Sequence, residues 1–92
     1  MTHRFDLQIG EELTTILFQG LLDRAALSEL DAHCQAQKRR GGSVRVVLGA
    51  GTRIDADLLE ELVRLEGIAL EAESPFLARW ILSCQNGNRE TR

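Results

Sequence analysis

Residues 44–62 read VRVVLGAGTRIDADLLEEL, and this stretch decides the fold more than any other part of the chain. It opens with an apolar, β-branched run typical of a buried strand, and a loop containing two glycines follows. Asp55 then precedes leucines at helical spacing, as an N-cap residue would. The stretch therefore predicts a strand, a loop and an amphipathic helix. Ligands and partners of open α/β sheets bind at such a point, outside the carboxyl end of a strand.

The residues before this stretch predict a hairpin followed by a helix. Apolar or β-branched residues alternate with polar ones in two short runs, as in half-buried strands. The runs are Phe5, Leu7 and Ile9, and then Thr14, Ile16 and Phe18. Asp23 stands where a helix N-cap is expected. The KRRGG segment at residues 38–42 combines cations suited to a last helical turn with glycines that can end it.

The residues after this stretch predict one more strand and a last helix. Gly67 is expected to stop the second helix, and residues 68–72, IALEA, to form a strand. Ser74 and Pro75 are typical of a helix start, with serine as N-cap and proline at the first helical position. The apolar side of the second helix is expected to consist of Leu58, Leu59, Leu62 and Leu65, and that of the last helix of Phe76, Leu77, Trp80 and Ile81.

The predicted order is β-β-α-β-α-β-α, which places the chain in the α/β class. Because helices connect the later strands, we expect a mixed sheet of about four strands with helices packed on it. With 92 residues and 43% hydrophobic residues, the chain suffices for one small domain, expected over residues 1–84. Residues 85–92, QNGNRETR, are expected to form a disordered tail.

Charge and hydropathy narrow the classes of partner. The net charge is −3, and the basic residues are scattered outside residues 38–40, so we expect no nucleic-acid partner. No apolar run approaches the roughly 20 residues that span a bilayer. The first residues lack the apolar segment of a signal peptide, and the predicted location is the cytoplasm.

No group of residues predicts catalysis. Cys34 falls on a helical stripe with Leu27 and Leu30, and Cys84 also lies among apolar residues, so packing is favoured over a disulfide or a metal pair. His33 has no nucleophile and acid arranged around it at a recognisable spacing. We therefore predict neither an enzyme nor a cofactor.

Two features of the central stretch each allow a functional and a structural interpretation. The loop at residues 49–52, GAGT, could cradle a phosphate, or it could be a tight connection whose glycines need positive φ values. Asp55 and Asp57 could be paired carboxylates or cation ligands, although no third ligand is evident. They could instead stabilise the helix start as N-cap and first-turn acids, by about 0.3–1 kcal/mol each.

The chain contains one internal echo. Residues 22–30 read LDRAALSEL and residues 54–62 read IDADLLEEL, so an aliphatic residue and an aspartate precede a helix twice. Two copies cannot form a solenoid. The echo therefore indicates the same connection from strand to helix, used twice.

These elements resemble the STAS domain of anti-anti-sigma factors. The resemblance rests on GLLDR at residues 20–24 and TRIDADLL at residues 52–59, and it extends from about Phe5 to Leu82. It implies a small α/β signalling module that binds an anti-sigma or kinase-like protein. In that family a serine at the start of the second helix is phosphorylated, which switches off binding.

The matching positions depart from the family at the phosphorylation motif. Asp23 and Asp55 match the two aspartates of the family, while Ala56 stands at the first serine and Leu58 at the glycine. Asp57 occupies the phospho-acceptor position, where a serine kinase cannot act on it. Its carboxylate partly imitates a phosphoserine, so the resemblance implies a module without the usual switch.

The leading hypothesis is a non-enzymatic regulatory module that docks a partner at the start of the second helix. The acids would steer the partner, and exposed leucines would anchor it. The predicted partner-binding residues are Asp23, Thr52, Ile54, Asp55, Ala56, Asp57, Leu58 and Leu59. One alternative is a structural domain that self-assembles through its sheet edges or through the helix carrying Trp80. Another is a small enzyme or ligand-binding subunit using the glycine loop.

Overall fold

The computed structural model describes residues 3–65 and 67–90, and of residues 86–90 the backbone alone. It is an α/β structure, and the predicted order of elements is confirmed with one short strand added. The elements are β1 (His3–Ile9), β2 (Leu13–Leu22), α1 (Arg24–Arg39), β3 (Ser43–Leu48), β4 (Arg53–Ile54), α2 (Ala56–Val63), β5 (Ile68–Ala72) and α3 (Pro75–Glu90).

The sheet is mixed, and its strands follow the order β1-β2-β3-β5. β1 runs antiparallel to β2 through the predicted hairpin, while β2, β3 and β5 are parallel. β2 changes partner along its length, because residues 13–18 pair with β3 and Leu21 and Leu22 pair with β4. Gly20 lies at this change with a φ of 106°, which is a backbone conformation that favours glycine.

The helices cover one face of the sheet. α1 and α2 each connect parallel neighbours, and the right-handed form of this connection places both on the same side. α2 packs against both α1 and α3. The fully enclosed core comes from alternate residues of β2 and β3 and from the inward stripes of α1 and α2: Ile16, Phe18, Leu22, Ala26, Leu30, Val46, Leu48, Leu59 and Leu62.

The ends of α1 and the start of α3 follow the predicted capping chemistry. The Asp23 carboxylate accepts a hydrogen bond from the backbone N–H of Ala26 at 2.9 Å. α1 ends as predicted, with Arg40 at the C-cap and Gly41 at a φ of 87°. At α3, the backbone N–H of Leu77 donates to the Ser74 hydroxyl at 3.4 Å.

Two features of α3 differ from the predictions. Phe76 was assigned to the apolar face with Leu77 and Ile81, but it is 72% exposed while those two residues are buried. The reason is angular, since successive helical residues are about 100° apart and the stripe facing the sheet does not reach Phe76. The backbone of α3 also continues through residues 85–90, because extending an existing helix avoids the cost of nucleation. Residues 91 and 92 lie outside the described residues.

Within residues 3–65 and 67–90, no helix combines the length and the apolar character needed to cross a membrane. The predicted stripe on α1 is confirmed, with Leu27, Leu30 and Cys34 buried. On α2 the predicted stripe is confirmed for Leu58, Leu59 and Leu62 only, because the helix ends at Val63, before Leu65 and the predicted stop at Gly67. On the sheet, the Arg45 guanidinium binds the Glu71 carboxylate through two hydrogen bonds of 2.8 and 2.6 Å between neighbouring strands. This pair lowers the pKa of the Glu71 carboxyl.

Candidate functional site

The candidate site lies at the carboxyl ends of the parallel strands, where α1 and α2 begin. β4 pairs with the end of β2 so that Ile54 stands in register with Leu22. The next residues, Asp55 and Asp23, are the N-caps of α2 and α1. The similarity between residues 22–30 and 54–62 therefore corresponds to two matching connections from strand to helix, which lie side by side. We call Thr52, Ile54, Asp55, Ala56 and Asp57 the rim.

The two N-cap aspartates differ in what their carboxylates do. Asp23 is half-buried and accepts the Ala26 N–H, so its carboxylate already stabilises α1. Asp55 has the extended backbone of an N-cap, but its side chain makes no capping hydrogen bond. Asp55 thus occupies the N-cap position as predicted, but the predicted capping by its side chain is wrong. The Asp55 carboxylate is exposed and remains available to a partner.

The remaining rim residues divide between solvent and the domain interior. Ala56 and Asp57 are exposed in the first turn of α2. Ile54 is half-buried and packs against the core. The Thr52 hydroxyl donates to the carbonyl oxygen of Phe18 at 3.2 Å, which ties the loop to β2. Asp55, Ala56 and Asp57 therefore form the outward-facing part of the rim.

The predicted leucine anchor at the start of α2 is wrong. Leu58 is 7% exposed and Leu59 is fully buried, so neither can contact a partner. Both lie on the helical stripe that includes Leu62 and faces the sheet. Burial of this stripe attaches α2 to the domain.

An exposed ion pair connects α2 to α1 beside the rim. The Arg24 guanidinium donates two hydrogen bonds to the Glu61 carboxylate, at 2.7 and 2.8 Å. The hydrogen bond from Arg24 lowers the pKa of the Glu61 carboxyl, and the charges of Arg24 and Arg64 act in the same direction against partial desolvation. Glu61 in turn raises the pKa of Arg24, and the charge of Asp57 also contributes. Asp57 therefore lies within electrostatic reach of this pair.

Three backbone donors of the glycine loop, those of Gly49, Ala50 and Thr52, form hydrogen bonds within the chain. The N–H of Gly49 donates to the Phe18 carbonyl at 2.7 Å, and that of Thr52 donates to the Gly49 carbonyl at 3.1 Å. The N–H of Ala50 donates to the Glu73 carboxylate at 3.2 Å, so an acid occupies the place where a phosphate oxygen would bind. This arrangement does not favour nucleotide binding.

The structural explanation for the loop glycines also needs correction. Gly49 and Gly51 do not have positive φ values; among the glycines of the described part, Gly20, Gly41 and Gly67 do. Gly49 is required by a close approach instead. A Cβ atom there would lie 2.8 Å from Cγ of Gln19 and 3.1 Å from the Phe18 carbonyl oxygen.

The remaining chemical candidates are far from a reactive arrangement. Cys34 is 1% exposed, and burial raises its pKa to about 11, which keeps the thiol protonated. His33 stands 3.9 Å from the Glu29 carboxylate on the surface of α1. Among the residues the structure describes, no three His, Cys, Asp or Glu side chains lie close enough to hold a metal ion.

The sequence predicted that Phe76 and Trp80 share one side of α3, but not that Phe76 would be exposed. Phe76 and Trp80 have ring centroids 5.8 Å apart with planes tilted by 53°. Trp80 is half-buried against the core, and Phe76 lies in the first turn of α3, whose N-terminus also emerges after a parallel strand. Counting helical angles from Leu77 and Ile81 would have placed Phe76 outside the buried stripe.

Comparison with known proteins adds no further identification. The sequence matches no protein-family model and no curated protein. The functional interpretation therefore depends on the geometry of the rim and on the resemblance carried by residues 20–24 and 52–59.

Proposed function

We propose that this chain is a non-enzymatic regulatory module, similar to an anti-anti-sigma STAS domain and located in the cytoplasm, that docks a protein partner at its rim. The observation that carries the proposal is the state of Asp55. Its carboxylate stands at the N-cap of α2 without capping the helix, exposed to solvent beside the exposed Asp57.

Negatively charged side chains at a helix start commonly stabilise that helix, as the Asp23 carboxylate does for α1. Asp55 makes no hydrogen bond of that kind, so its full acceptor capacity is available. Two exposed carboxylates on a rigid first turn suit Lys or Arg side chains, which steer association and fix register. An anti-sigma or kinase-like protein with a basic docking surface fits this chemistry.

Asp57 gives the module a permanent charge in place of a switch. The resemblance places it at the position of the phosphorylated serine, and its side chain is exposed as a phospho-acceptor would need to be. A carboxylate carries about half the charge of a phosphoserine at neutral pH. The proposed module therefore binds constitutively a partner that accepts a negative charge at this position.

Affinity measurements on rim variants test the proposal. A partner recovered by co-precipitation from the source cells is purified, and its affinity for the chain is measured by calorimetry. We expect Asp57→Lys to weaken binding by about tenfold or more, while Asp57→Ser retains it. Glu12→Lys makes the same charge change in the loop at the opposite end of the sheet and serves as the matched control. Native affinity in Asp57→Lys would exclude the rim as the docking surface.

A second candidate function is self-assembly, which a different surface favours. β5 is the last strand of the sheet in the described part, and a groove lined by Leu70, Ala72, Ala78 and Leu82 runs beside it. Leu82 is 58% exposed. An open edge next to apolar side chains can pair with a second copy. Sedimentation equilibrium separates the two functions, because a monomer at every concentration excludes assembly.

A further inference from the structure

A polar cleft lies at the end of the sheet opposite the rim, between the β1–β2 hairpin and the end of α1. Its volume is about 400 Å³, within the range of small-molecule sites. The residues that line it include Ile9, Glu11, Thr14, Gln37 and Arg40, and we call it the hairpin cleft. Docking of a protein at the rim does not involve any of these side chains.

The floor of the hairpin cleft is polar at positions where the core would otherwise be apolar. On β2 the inward-facing residues alternate, and Thr14 takes the place that Ile16 and Phe18 take further along the strand. On α1, Gln37 continues the buried stripe that includes Cys34. Thr14 is 4% exposed and Gln37 is 8% exposed, and they are the two polar residues among the buried ones of the described part. Both stripes therefore carry a polar side chain at the same end of the domain.

The chain uses only part of the hydrogen-bonding capacity of this floor. The Thr14 hydroxyl donates to Oε1 of Gln37 at 3.3 Å. The Gln37 amide nitrogen carries two more donors, and no described residue accepts a hydrogen bond from it. Every enclosed side-chain N or O atom of the described part has a partner, so this nitrogen is open to the cleft. Burying such an amide is unfavourable unless water or a ligand accepts from it.

Two opposite charges flank the polar floor. Arg40 is the C-cap of α1 and Glu11 lies in the β1–β2 turn, and both side chains are exposed at the cleft. Neither forms an ion pair with a residue of the described part. One cation and one anion leave the lining neutral overall, which disfavours phosphate and other multiply charged anions. A molecule that carries both charges is complementary to this lining.

Backbone hydrogen bonds hold both sides of the hairpin cleft in place. The N–H of Ser43 donates to the Glu12 carbonyl at 2.9 Å, which ties the hairpin turn to β3. On the other side, the N–H of Arg40 donates to the Gln37 carbonyl at 3.1 Å and ends α1. Because its frame is already ordered, the cleft can bind a small ligand without a large loss of conformational entropy.

We propose that the hairpin cleft binds a free amino acid with an aliphatic side chain. Its carboxylate would accept hydrogen bonds from the Gln37 amide and the Arg40 guanidinium, which binds carboxylates with good geometry. Its ammonium group would bind the Glu11 carboxylate. Its side chain would contact Ile9, which is 54% exposed and lines the cleft. This inference is independent of the proposed function, because the cleft and the rim lie at opposite ends of the sheet.

Calorimetry with three probes of one carbon skeleton tests the proposal. Free leucine carries both charged groups, isocaproate lacks the ammonium group, and leucinamide lacks the carboxylate. We expect leucine to bind at least about tenfold more tightly than either analogue, because each analogue loses a charge-assisted interaction. NMR of the side-chain amides locates the site. The Gln37 amide resonances should shift with leucine at millimolar concentrations and not with inorganic phosphate.

Substitutions of the charged residues compare each lining side chain with its neighbour in the sequence. Arg40→Gln and Glu11→Gln should each weaken leucine binding by about tenfold. Arg39→Gln and Glu12→Gln remove exposed charges that do not line the cleft, so they should bind leucine like the native chain.

A double substitution separates ligand binding from a purely structural role of the polar floor. Thr14→Val together with Gln37→Met replaces both hydrogen-bonding partners by apolar groups of similar shape. We expect the double variant to be at least as stable as the native chain in chemical denaturation, and to bind leucine about tenfold more weakly or worse. If it does not fold, the variants of Arg40 and Glu11 decide the question, since those side chains are exposed.

The outcomes keep this inference separate from docking at the rim. Absence of leucine binding, equal binding of the three probes, or Gln37 resonances that respond to phosphate alone overturns the amino-acid site. Native leucine affinity in the folded double variant, or in both Arg40→Gln and Glu11→Gln, also overturns it. A double variant that gains stability while the native chain binds no probe assigns the floor to a hydrated structural pair. None of these results changes the expected effect of Asp57→Lys on the protein partner.

Discussion

The guanidinium of Arg24 and the carboxylate of Glu61 join the first residue of α1 to the middle of α2 through two hydrogen bonds of 2.7 and 2.8 Å. Paired hydrogen bonds of this geometry specify orientation as well as distance. The pair therefore identifies the flank of α2 that faces α1, while burial of Leu58, Leu59 and Leu62 holds the helix on the domain.

This ion pair predicts a loss of stability in acid. Arg24 holds the pKa of the folded Glu61 carboxyl below its ordinary value of 4.5. A depressed pKa contributes stability that is present above the unfolded value and is lost as the pH falls through the folded value. Urea denaturation at pH 7 and pH 3 should show a smaller acid loss in Arg24→Gln than in the native chain. Arg79→Gln, which changes an exposed arginine of α3, should behave like the native chain, and equal acid losses in all three would contradict the prediction.

The two N-cap aspartates predict opposite phenotypes. Asp23→Ala removes the hydrogen bond to the Ala26 N–H, so we expect a loss of about 0.5–2 kcal/mol in the free energy of unfolding. Asp55→Ala removes no capping hydrogen bond and should stay within about 0.5 kcal/mol of the native value, while it weakens partner binding. Chemical denaturation measures both. Equal destabilisation by the two substitutions would mean that Asp55 caps α2 in solution.

Substitutions of the two loop glycines, Gly49 and Gly51, are expected to differ in their effect on stability. In Gly49→Ala the added methyl group would lie 2.8 Å from Cγ of Gln19 and close to the Phe18 carbonyl, so we expect a loss of about 1–3 kcal/mol. Gly51→Ala places the methyl group 3.8 Å from Oε1 of Gln19, which is ordinary contact, and should be nearly neutral. Thermal unfolding of the two variants checks the prediction. A neutral Gly49→Ala would show that the loop between β3 and β4 can move away from β2.

The two cysteines predict selective thiol labelling. Burial is the main cause that raises the pKa of Cys34 to about 11, and the nearby Asp31 adds to it against the charge of Lys38. At pH 8 only about one Cys34 side chain in a thousand is then a thiolate, and it is 1% exposed. Ellman's reagent should label Cys84 in the native chain and both thiols after denaturation. Cys84→Ser should be unreactive until it unfolds, and rapid native labelling of Cys34 would contradict its burial.

Much of the fold could be predicted because its signals are local. The alternation that predicts β1 and β2, the KRRGG stop after α1 and the Ser74-Pro75 start of α3 each depend on a few neighbouring residues. Strand β4 has only two residues, Arg53 and Ile54, and no periodicity can predict so short an element. The similarity between Leu22-Asp23 and Ile54-Asp55 was the one sequence feature that pointed to β4.

The candidate site was predicted in part. The exposed positions of Asp55, Ala56 and Asp57 agree with the predicted surface, but Leu58 and Leu59 do not. The helical stripe that made these leucines core residues was visible in the sequence, and assigning them to a partner as well was inconsistent with it. The exposure of Phe76 was not predicted, because its apolar character was assigned to the buried stripe of α3 although its angle around the helix lies outside that stripe.

The amino-acid sequence by itself determined the elements, their order and most of their ends, because alternation, helical stripes, caps and glycine turns act over a few residues. Tertiary structure alone decided that Ile54 lies in register with Leu22, that Arg24 reaches Glu61, and that Asp55 is left without a capping role. These relationships join residues more than 30 positions apart or depend on how a side chain is oriented by its surroundings. Such contacts form only when the helices pack on the sheet and bring distant residues together. A pattern over a few neighbouring residues cannot specify which distant residues will meet.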